Sequence, residues 1–289
     1  MLGERIKKAR LLKSLSQKKL AAELGISVKN LSRIESGKAT PNSEILLKIC
    51  EVTGFRVAFF FRKSTVEIEN IRFKTSDKLT KRDYDVIIGK VVDTAERQFE
   101  IFELFPEFNF SKFNFPDNIP SKITSFSEIS RIAKELRETW GFGGGSLIRF
   151  LESRGLLVFT FEEITPFFEG MTAKVNGRPL IVVGIGGPLG KQSKCIAHEL
   201  GHIILDGRLP KNIDEKSACD EFSKIFLEDI DVSKRPEMSL FMERIVIRAY
   251  DDDLIGYSRA GELLGLSVWD FFELNRVFDR EENNKANRH

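Results

Sequence analysis

The chain has 289 residues, of which 42% are hydrophobic and 30% charged, so it is long and apolar enough for two folded domains and too apolar for wholesale disorder. No apolar run reaches the roughly 20 residues that a membrane span needs, and the first residues lack the apolar stretch of a signal peptide, which predicts a cytoplasmic protein with no membrane partner. The three cysteines, Cys50, Cys195 and Cys219, form no CxxC pair. They predict reduced thiols rather than a disulfide framework or a cysteine zinc site.

The net charge of +2 is unevenly distributed along the chain. Residues 1–63 hold 14 Lys/Arg against 5 Asp/Glu, a net charge of +9, and residues 64–289 carry a net charge of −7. This asymmetry predicts a nucleic-acid contact confined to the N-terminal segment, although a solvated lysine-rich surface would give the same charge. The acidic remainder would attract a basic segment of a partner protein.

Two short helices around a glycine turn are predicted in the basic segment. Ser16 and Ser27 stand where N-caps are expected, apolar residues follow each at helical spacing, and Gly25 can supply the positive φ of the turn between them. This arrangement is a helix-turn-helix. Its second helix leaves four residues on the outward face: Val28, Lys29, Asn30 and Arg33.

Particular residues give this segment a specific pattern: Leu15-Ser-Gln-Lys-Lys-Leu-Ala21, Gly25-Ile-Ser27, Leu31-Ser-Arg-Ile-Glu-Ser-Gly-Lys38 and Pro41. With them, roughly residues 3–61 resemble the Xre family, the lambda-repressor-like DNA-binding domains. The resemblance implies that Val28, Lys29 and Arg33 meet base edges in the major groove of a double-stranded DNA operator. It implies further that Gln17, Asn30 and Lys38 hold phosphates, and that the protein binds two half-sites as a homodimer.

A connecting region is predicted after the basic segment. Residues 64–73 alternate as a strand or an extended linker, and residues 81–104 and 127–139 have the apolar spacing of helices. Between these helices, residues 105–120 are rich in phenylalanine. Because few Lys/Arg accompany them, a loop on an apolar surface is favoured over a nucleic-acid stacking platform. The phenylalanines concerned are Phe105, Phe108, Phe110, Phe113 and Phe115.

The sequence His198-Glu-Leu-Gly-His202 is an HExxH motif. Its apolar flanks predict a buried helix, on which positions i and i+4 place both imidazoles on one face, about 6 Å apart, as needed to share a tetrahedral Zn²⁺. Glu199 can then accept a proton from a water that attacks a peptide carbonyl. The alternative is a structural pair of core histidines beside a solvated glutamate.

A third zinc ligand is expected from the next predicted helix, residues 214–227. Apolar residues such as Ala218 and Phe222 define its inward face, and Glu215 shares that face. Asp220 and Glu221 lie off the centre of the face. The spacing therefore predicts His198, His202 and Glu215 as the metal ligands.

Three short strands are predicted upstream of the motif, over residues 155–161, 171–175 and 179–183. Such strands beside a metal-binding helix are typical of zincins. An exposed edge among them could receive an extended peptide by strand addition.

Four further segments give the second part of the chain a specific pattern. They are Leu151-Glu-Ser-Arg-Gly-Leu-Leu-Val-Phe159, Gly177-Arg-Pro-Leu-Ile-Val-Val183, Ala197-His-Glu-Leu-Gly-His202 and the helix with Phe222, Phe226 and Leu227. With them, residues from about 66 to 275 resemble the ImmA/IrrE family of metallopeptidases. The resemblance implies zinc at His198 and His202, Glu199 as general base, and cleavage of a partner repressor. The chain departs from that family's pattern in two places: Lys216 aligns with the usual glutamate ligand, and Glu228-Asp229 replace a Met-Pro.

Near the C-terminus, residues 257–272 repeat the order helix, Gly-Leu-Ser turn, helix. Acidic residues surround this segment, and Trp269, Phe271 and Phe272 suit packing. An interaction or dimerisation hairpin is therefore favoured over a second DNA reader.

Together these patterns predict a mostly helical α+β protein. The expected domains are a lambda-repressor-like helix-turn-helix bundle (residues 1–63), a connecting region (64–125), a small-sheet zincin-like metallopeptidase core (126–232) and a C-terminal hairpin (233–289). The predicted function is a transcriptional regulator that cleaves a repressor or antitoxin in stress or mobile-element control. The alternative is a regulator whose peptidase-like domain is a non-cleaving sensor or dimerisation body.

Overall fold

The computed structural model describes residues 2–62, 66–74, 79–106, 112–162, 165, 167–185, 190–232 and 237–286. Most of these residues are helical, and the strands form one four-stranded sheet, so the predicted mostly helical α+β class is confirmed. The chain divides into two compact units. Unit 1 comprises Met1–Val66 and Ser76–Glu96, and unit 2 comprises Glu67–Thr75 and Arg97–His289.

Unit 1 contains five helices in the described part of residues 1–66: α1 (Leu2–Leu12), α2 (Gln17–Leu24), α3 (Val28–Glu35), α4 (Ser43–Thr53) and α5 (Val57–Phe61). Both predicted N-caps are confirmed, because the Ser16 and Ser27 side chains accept hydrogen bonds from the backbone N–H groups of Lys19 and Asn30. Gly25 ends α2 in the left-handed region, at φ 68° and ψ 28°. Unit 1 therefore contains the predicted helix-turn-helix.

A small apolar core joins the helices of unit 1. Its largest buried members come from α1, α2, α3, α4 and α5: Ile6, Leu20, Leu31, Ile34, Ile49 and Phe60. The long helix α6 (Lys81–Leu104) contributes its first residues to this unit, where Glu96 accepts hydrogen bonds from Arg5 (2.6 Å) and Lys8 (2.7 Å). These ion pairs fix α1 against α6.

The sheet of unit 2 consists of β1 (Ile68–Phe73), β2 (Leu157–Phe161), β3 (Gly170–Val175) and β4 (Arg178–Gly184), in the order β1-β3-β4-β2. β3 runs antiparallel to both of its neighbours, and β2 runs parallel to β4. The three predicted strands around the motif are confirmed. The segment expected as a strand or linker is the edge strand β1, which pairs with β3 from Ile68 opposite Val175.

Helices cover this sheet and build the main core of unit 2. They are α7 (Phe126–Trp140), α8 (Leu147–Ser153), α9 (Lys191–Leu205) and α10 (Glu215–Phe226). α9 packs against β3 and β4 on one side and against α10 on the other. The motif helix is therefore buried because it lies between the sheet and α10.

The phenylalanine-rich segment is described only in part. Phe113 packs against the main core and lies edge-on to Trp140, with ring centroids 6.2 Å apart, as expected for a loop on an apolar surface. Phe105 is buried in another cluster, and Phe115 is partly exposed. Phe108 and Phe110 lie outside the described residues.

The C-terminal part of unit 2 contains α11 (Phe241–Asp251), α12 (Tyr257–Leu264) and α13 (Val268–Ala286). Gly265 separates α12 from α13 in the left-handed region, at φ 71° and ψ 26°. The hairpin packs through Leu263 and Phe271 against Ile101 of α6. Phe271 is buried as expected, whereas the Trp269 side chain is 69% exposed.

Among the described residues, no helix combines the length and apolar character that a membrane crossing requires.

Candidate functional site

The outward face of α3 carries the residues predicted to meet DNA. Val28 is 42% exposed, and Lys29 and Arg33 are exposed beside it. Asn30 is half-buried, and Lys38 is exposed just beyond the helix. The structure therefore brings five of the six predicted DNA-binding residues to one end of unit 1, although the contacts themselves stay a prediction.

Gln17 faces the interior instead. Its amide nitrogen donates a hydrogen bond to Glu35 Oε2 at 2.7 Å, and Arg10 holds the same carboxylate through two hydrogen bonds of 2.6 and 3.0 Å. Glu35 is only 5% exposed, so this network links α1, α2 and α3 behind the outward face. Sequence reasoning missed it, because Arg10 and Glu35 are 25 residues apart. The phosphate contact expected of Gln17 stays a prediction.

The HExxH motif lies in the buried middle of α9. His198 is 1% exposed and Glu199 is 0% exposed, while His202 is half-buried. The two imidazole rings lie with their centroids 5.0 Å apart, as the i, i+4 spacing predicts. The two histidines are therefore close enough to share one ion.

Each histidine of the motif is held by a carboxylate from α10. His198 Nδ1 lies 2.7 Å from Asp220 Oδ1, and His202 Nδ1 lies 2.9 Å from Glu215 Oε1. A neutral imidazole that donates from Nδ1 presents Nε2 as an acceptor, which is the arrangement that metal-binding histidines use. Burial, followed by the charges of Lys74 and His202, lowers the pKa of His198 to about 4, so this ring is neutral at pH 7.

Three buried polar atoms of the motif have no hydrogen-bond partner among the described residues: His198 Nε2, Glu199 Oε1 and Glu199 Oε2. Burial raises the pKa of Glu199 to about 8, and the nearby charge of Lys74 opposes part of that shift. A buried polar group without a partner destabilises a fold by roughly 1–3 kcal/mol. These orphaned atoms therefore point to a ligand that supplies the missing contacts.

The backbone of β3 approaches this carboxylate closely at Gly170. A Cβ atom there would lie 3.1 Å from Glu199 Oε1 and 2.7 Å from Cys195 Sγ. A larger residue at Gly170 would displace the glutamate from its position.

Glu215 was predicted as the third ligand, and α10 does bring it to the motif. Its carboxylate lies at the Nδ1 side of His202 and pairs with Arg72 at 3.0 Å, while Arg72 also pairs with Asp206 at 2.7 Å. No group of three or more His, Cys, Asp or Glu side chains that could hold a metal occurs within the described ranges. The ligand role of Glu215 stays a prediction.

The two histidines therefore have the arrangement that two ligands of a zinc site would need, while no third ligand is identified within the described ranges. Both rings are oriented by carboxylates, and the orphaned atoms of His198 and Glu199 belong to the same motif. Sequence reasoning missed the role of Asp220, because apolar periodicity ranks it off the inward face.

Comparison with known proteins supports the N-terminal assignment. The family model described as Helix-turn-helix (HTH_3) matches residues 6–60. The SPbeta prophage-derived uncharacterized HTH-type transcriptional regulator YonR of Bacillus subtilis (strain 168) is 33% identical over 69 residues, which are 24% of this chain and 64% of that protein. This chain thus covers less than two thirds of that relative, and no solved structure matches. An N-terminal helix-turn-helix domain of the Xre type is therefore present.

Proposed function

We propose that this protein is a DNA-binding transcriptional regulator whose second unit carries a zinc-dependent peptidase centre. The regulatory part is supported by the helix-turn-helix match and by the name of the bacterial relative. It is also supported by the net charge of +9 over residues 1–63 and by the exposed residues of α3. In this proposal α3 enters the major groove of an operator, and two copies occupy two half-sites.

The peptidase part rests on one observation, the orphaned polar atoms of the buried HExxH motif. A structural role would leave Glu199 hydrogen-bonded, as Glu35 is in unit 1. Glu199 is instead fully buried without a hydrogen-bond partner in the part of the chain that the structure describes, next to two histidines whose Nδ1 atoms are already held. This is the arrangement expected of a general base beside a metal site.

His198 and His202 would hold Zn²⁺ through the ring nitrogens that Asp220 and Glu215 leave open. When bound, the ion would lower the pKa of a water molecule toward about 7 and polarise the scissile carbonyl. Glu199 would accept a proton from the attacking water at a carboxylate oxygen and deliver it to the leaving amine. Zn²⁺ at the two histidines would lower the pKa of Glu199 from its raised value of about 8, so that the carboxylate form that accepts a proton would be populated near neutral pH.

A second candidate, a non-cleaving sensor or dimerisation body, is favoured because no third ligand is identified among the described residues. Glu215 is engaged with His202 and Arg72, and Lys216 stands where the peptidase family that the sequence resembles carries a glutamate. A site with two protein ligands could bind a metal as a signal without turning over a peptide.

Zinc content tests the metal site first. Purified protein is expected to carry about one zinc per chain, and a His198→Ala/His202→Ala variant to carry none. Glu215→Ala should lower occupancy if it is a ligand or an orienting partner, while Glu221→Ala should not. Equal zinc in wild type and the double histidine variant would contradict the metal site.

Cleavage separates the two candidates. New protein N-termini would be mapped by mass spectrometry in cells that express wild type, Glu199→Gln or the matched control Glu221→Gln. Cuts in a repressor or antitoxin should occur with wild type and the control, and should fall by roughly 10²–10⁴-fold with Glu199→Gln. Identical N-termini in all three strains, with unchanged regulation, would favour the sensor.

A further inference from the structure

A cavity of about 340 Å³ opens directly beside His202. It lies between the edge strand β1 and the C-terminal end of α9, and its wall continues onto the segment that carries Phe115. The residues that matter for its chemistry are Arg72, Phe115, Lys174, His202, Asp206 and Arg208. Its volume is at the lower end of the range of roughly 300–1,000 Å³ for ligand-binding sites and is large enough for a side chain of a peptide.

The shape of the cavity comes from an irregularity in β1. The pairing of β1 with β3 shifts between Glu69 and Arg72, and Asn70 in that interval has a positive φ of 52°. A bulge of this kind re-aims side chains at a sheet edge. Here Asn70 and Arg72 both line the cavity, so the bulge forms one of its walls.

Arg208 is a fixed cation in this cavity with an unused donor. Its guanidinium carbon lies 4.2 Å from the centroid of the Phe115 ring, and its Nη1 donates to the backbone carbonyl of Asp206 at 2.9 Å. Its Nε is buried and has no hydrogen-bond partner in the described part of the chain.

The remaining charges leave the cavity cationic. The Asp206 carboxylate is already paired with Arg72 at 2.7 Å, and Arg72 also pairs with Glu215. Lys174 lines the cavity without an ion-pair partner among the residues that the structure describes. The balance of local charge is thus opposite to the net charge of −7 over residues 64–289.

We propose that this cavity is a specificity pocket for a carboxylate, and that it receives an acidic side chain, or the terminal carboxylate, of a peptide lying at the HExxH centre. The guanidinium charge of Arg208, which lines the cavity, attracts the carboxylate, and Lys174 adds a second positive charge. Phe115 holds the guanidinium in place and lines the cavity with an apolar surface. The proposal rests on the proposed peptidase function, since it places a peptide across His202.

The test measures peptide binding to the full chain carrying Glu199→Gln, so that bound peptides are not cut. Probes are fluorescein-labelled, C-terminally amidated decapeptide pools, random except for a central Glu, Gln or Lys, and fluorescence anisotropy gives the half-saturation concentration. One charge-assisted hydrogen bond should make the Glu pool bind about tenfold more tightly than the Gln pool. Pools with a free C-terminal carboxylate form a second arm, and a preference confined to them assigns the carboxylate to the chain end.

Variants locate the preference. Arg208→Met should remove the difference between the Glu and Gln pools, and Arg208→Lys should restore part of it. Lys174→Gln, which removes no buried group, should weaken the preference by a smaller factor. Arg131→Met, an arginine on the surface of α7, serves as the matched control. Circular dichroism melting establishes that each variant is folded.

Equal binding of the Glu and Gln pools in both arms would overturn the proposal, as would a Glu preference that survives in Arg208→Met or the absence of binding by every pool. Digestion of the same pools by the wild-type chain reports on the peptidase function separately. Cleavage without any carboxylate preference would contradict only the proposed specificity pocket. A carboxylate preference without cleavage would contradict only the proposed peptidase function.

Discussion

The helix pair α2–α3 in unit 1 and the helix pair α12–α13 in unit 2 share one turn, 240 residues apart. Gly25 and Gly265 have nearly the same dihedral angles, φ 68°, ψ 28° and φ 71°, ψ 26°. In both turns the glycine and the next residue donate to the carbonyls three and five residues before them. Ser27 and Ser267 then cap the following helix through the backbone N–H three residues later, at 3.1 and 3.0 Å.

The buried positions of the two pairs also correspond. Leu31 of α3 and Phe271 of α13 are both completely buried. The outward positions differ: Lys29 corresponds to the exposed Trp269, and Arg33 corresponds to Glu273. One backbone arrangement therefore carries a basic face in unit 1 and an aromatic, acidic face in unit 2. The turn and the core fix the scaffold, while the outward residues determine what it can bind.

The largest expected effect concerns DNA binding, which only the basic face should support. Lys29→Ala/Arg33→Ala should weaken operator binding by roughly 10²–10⁴-fold, because each base contact contributes about 1–3 kcal/mol. The corresponding Trp269→Ala/Glu273→Ala variant should bind within about twofold of wild type. Fluorescence anisotropy with a selected duplex at fixed salt measures both. Equal losses in the two variants would mean that both hairpins read DNA.

The next effect concerns a pair of corresponding buried polar residues, Glu35 in α3 and Asn275 in α13. Glu35→Ala leaves the buried Arg10 guanidinium without its carboxylate partner, so it should lower the free energy of unfolding by about 3–5 kcal/mol. Asn275→Ala removes a neutral amide whose Oδ1 has no hydrogen-bond partner within the described residues. This variant should therefore lower the free energy of unfolding by only about 1 kcal/mol. Urea titration monitored by circular dichroism checks the ranking, and a reversed order would contradict the stabilising role of the Arg10–Glu35 ion pair.

The shared turn predicts a smaller and nearly equal effect of alanine at the two glycines. Gly25→Ala and Gly265→Ala should each lower the free energy of unfolding by about 1–2 kcal/mol, because L-residues are strained at these dihedral angles. Nothing lies within 4 Å of the added methyl group at Gly25, whereas at Gly265 it would lie 2.8 Å from Nη1 of Arg97, at the far end of a long side chain that would have to shift. Thermal unfolding of the two variants measures this loss. An unchanged stability at either site would mean that the backbone of that turn changes conformation to accept alanine.

The smallest effect is expected at Trp269. Because its side chain is 69% exposed, Trp269→Ala should change the free energy of unfolding by less than about 0.5 kcal/mol. Phe271→Ala, two residues away and fully buried, should lower it by about 3–5 kcal/mol and serves as the reference. A large loss at Trp269 in chemical denaturation would show that the tryptophan is part of a packed surface.

Local features of this chain were predictable from sequence, and pairings over long separations were not. Ser16, Ser27 and Gly25 identify the helix ends because caps and turns depend on neighbouring residues. The strands around the motif follow from apolar runs, yet the sheet order β1-β3-β4-β2 depends on contacts between residues about a hundred positions apart. HExxH identified His198, Glu199 and His202, whereas Asp220 could be recognised only once α10 was placed beside α9.

The position of β1 in the chain has a consequence for how the protein can be divided. Residues 67–75 belong to unit 2, although unit 1 resumes at residue 76 and ends at residue 96. A fragment that begins at residue 64 would keep the whole sheet but would also carry the part of α6 up to Glu96 that belongs to unit 1, without the Arg5 and Lys8 that pair with Glu96. A fragment that ends at residue 63 would lack the same ion pairs from the other side. Truncation between residues 63 and 64, the boundary suggested by charge, therefore separates the partners of these ion pairs in both products. Limited proteolysis at that boundary should yield a nicked protein whose two pieces remain associated.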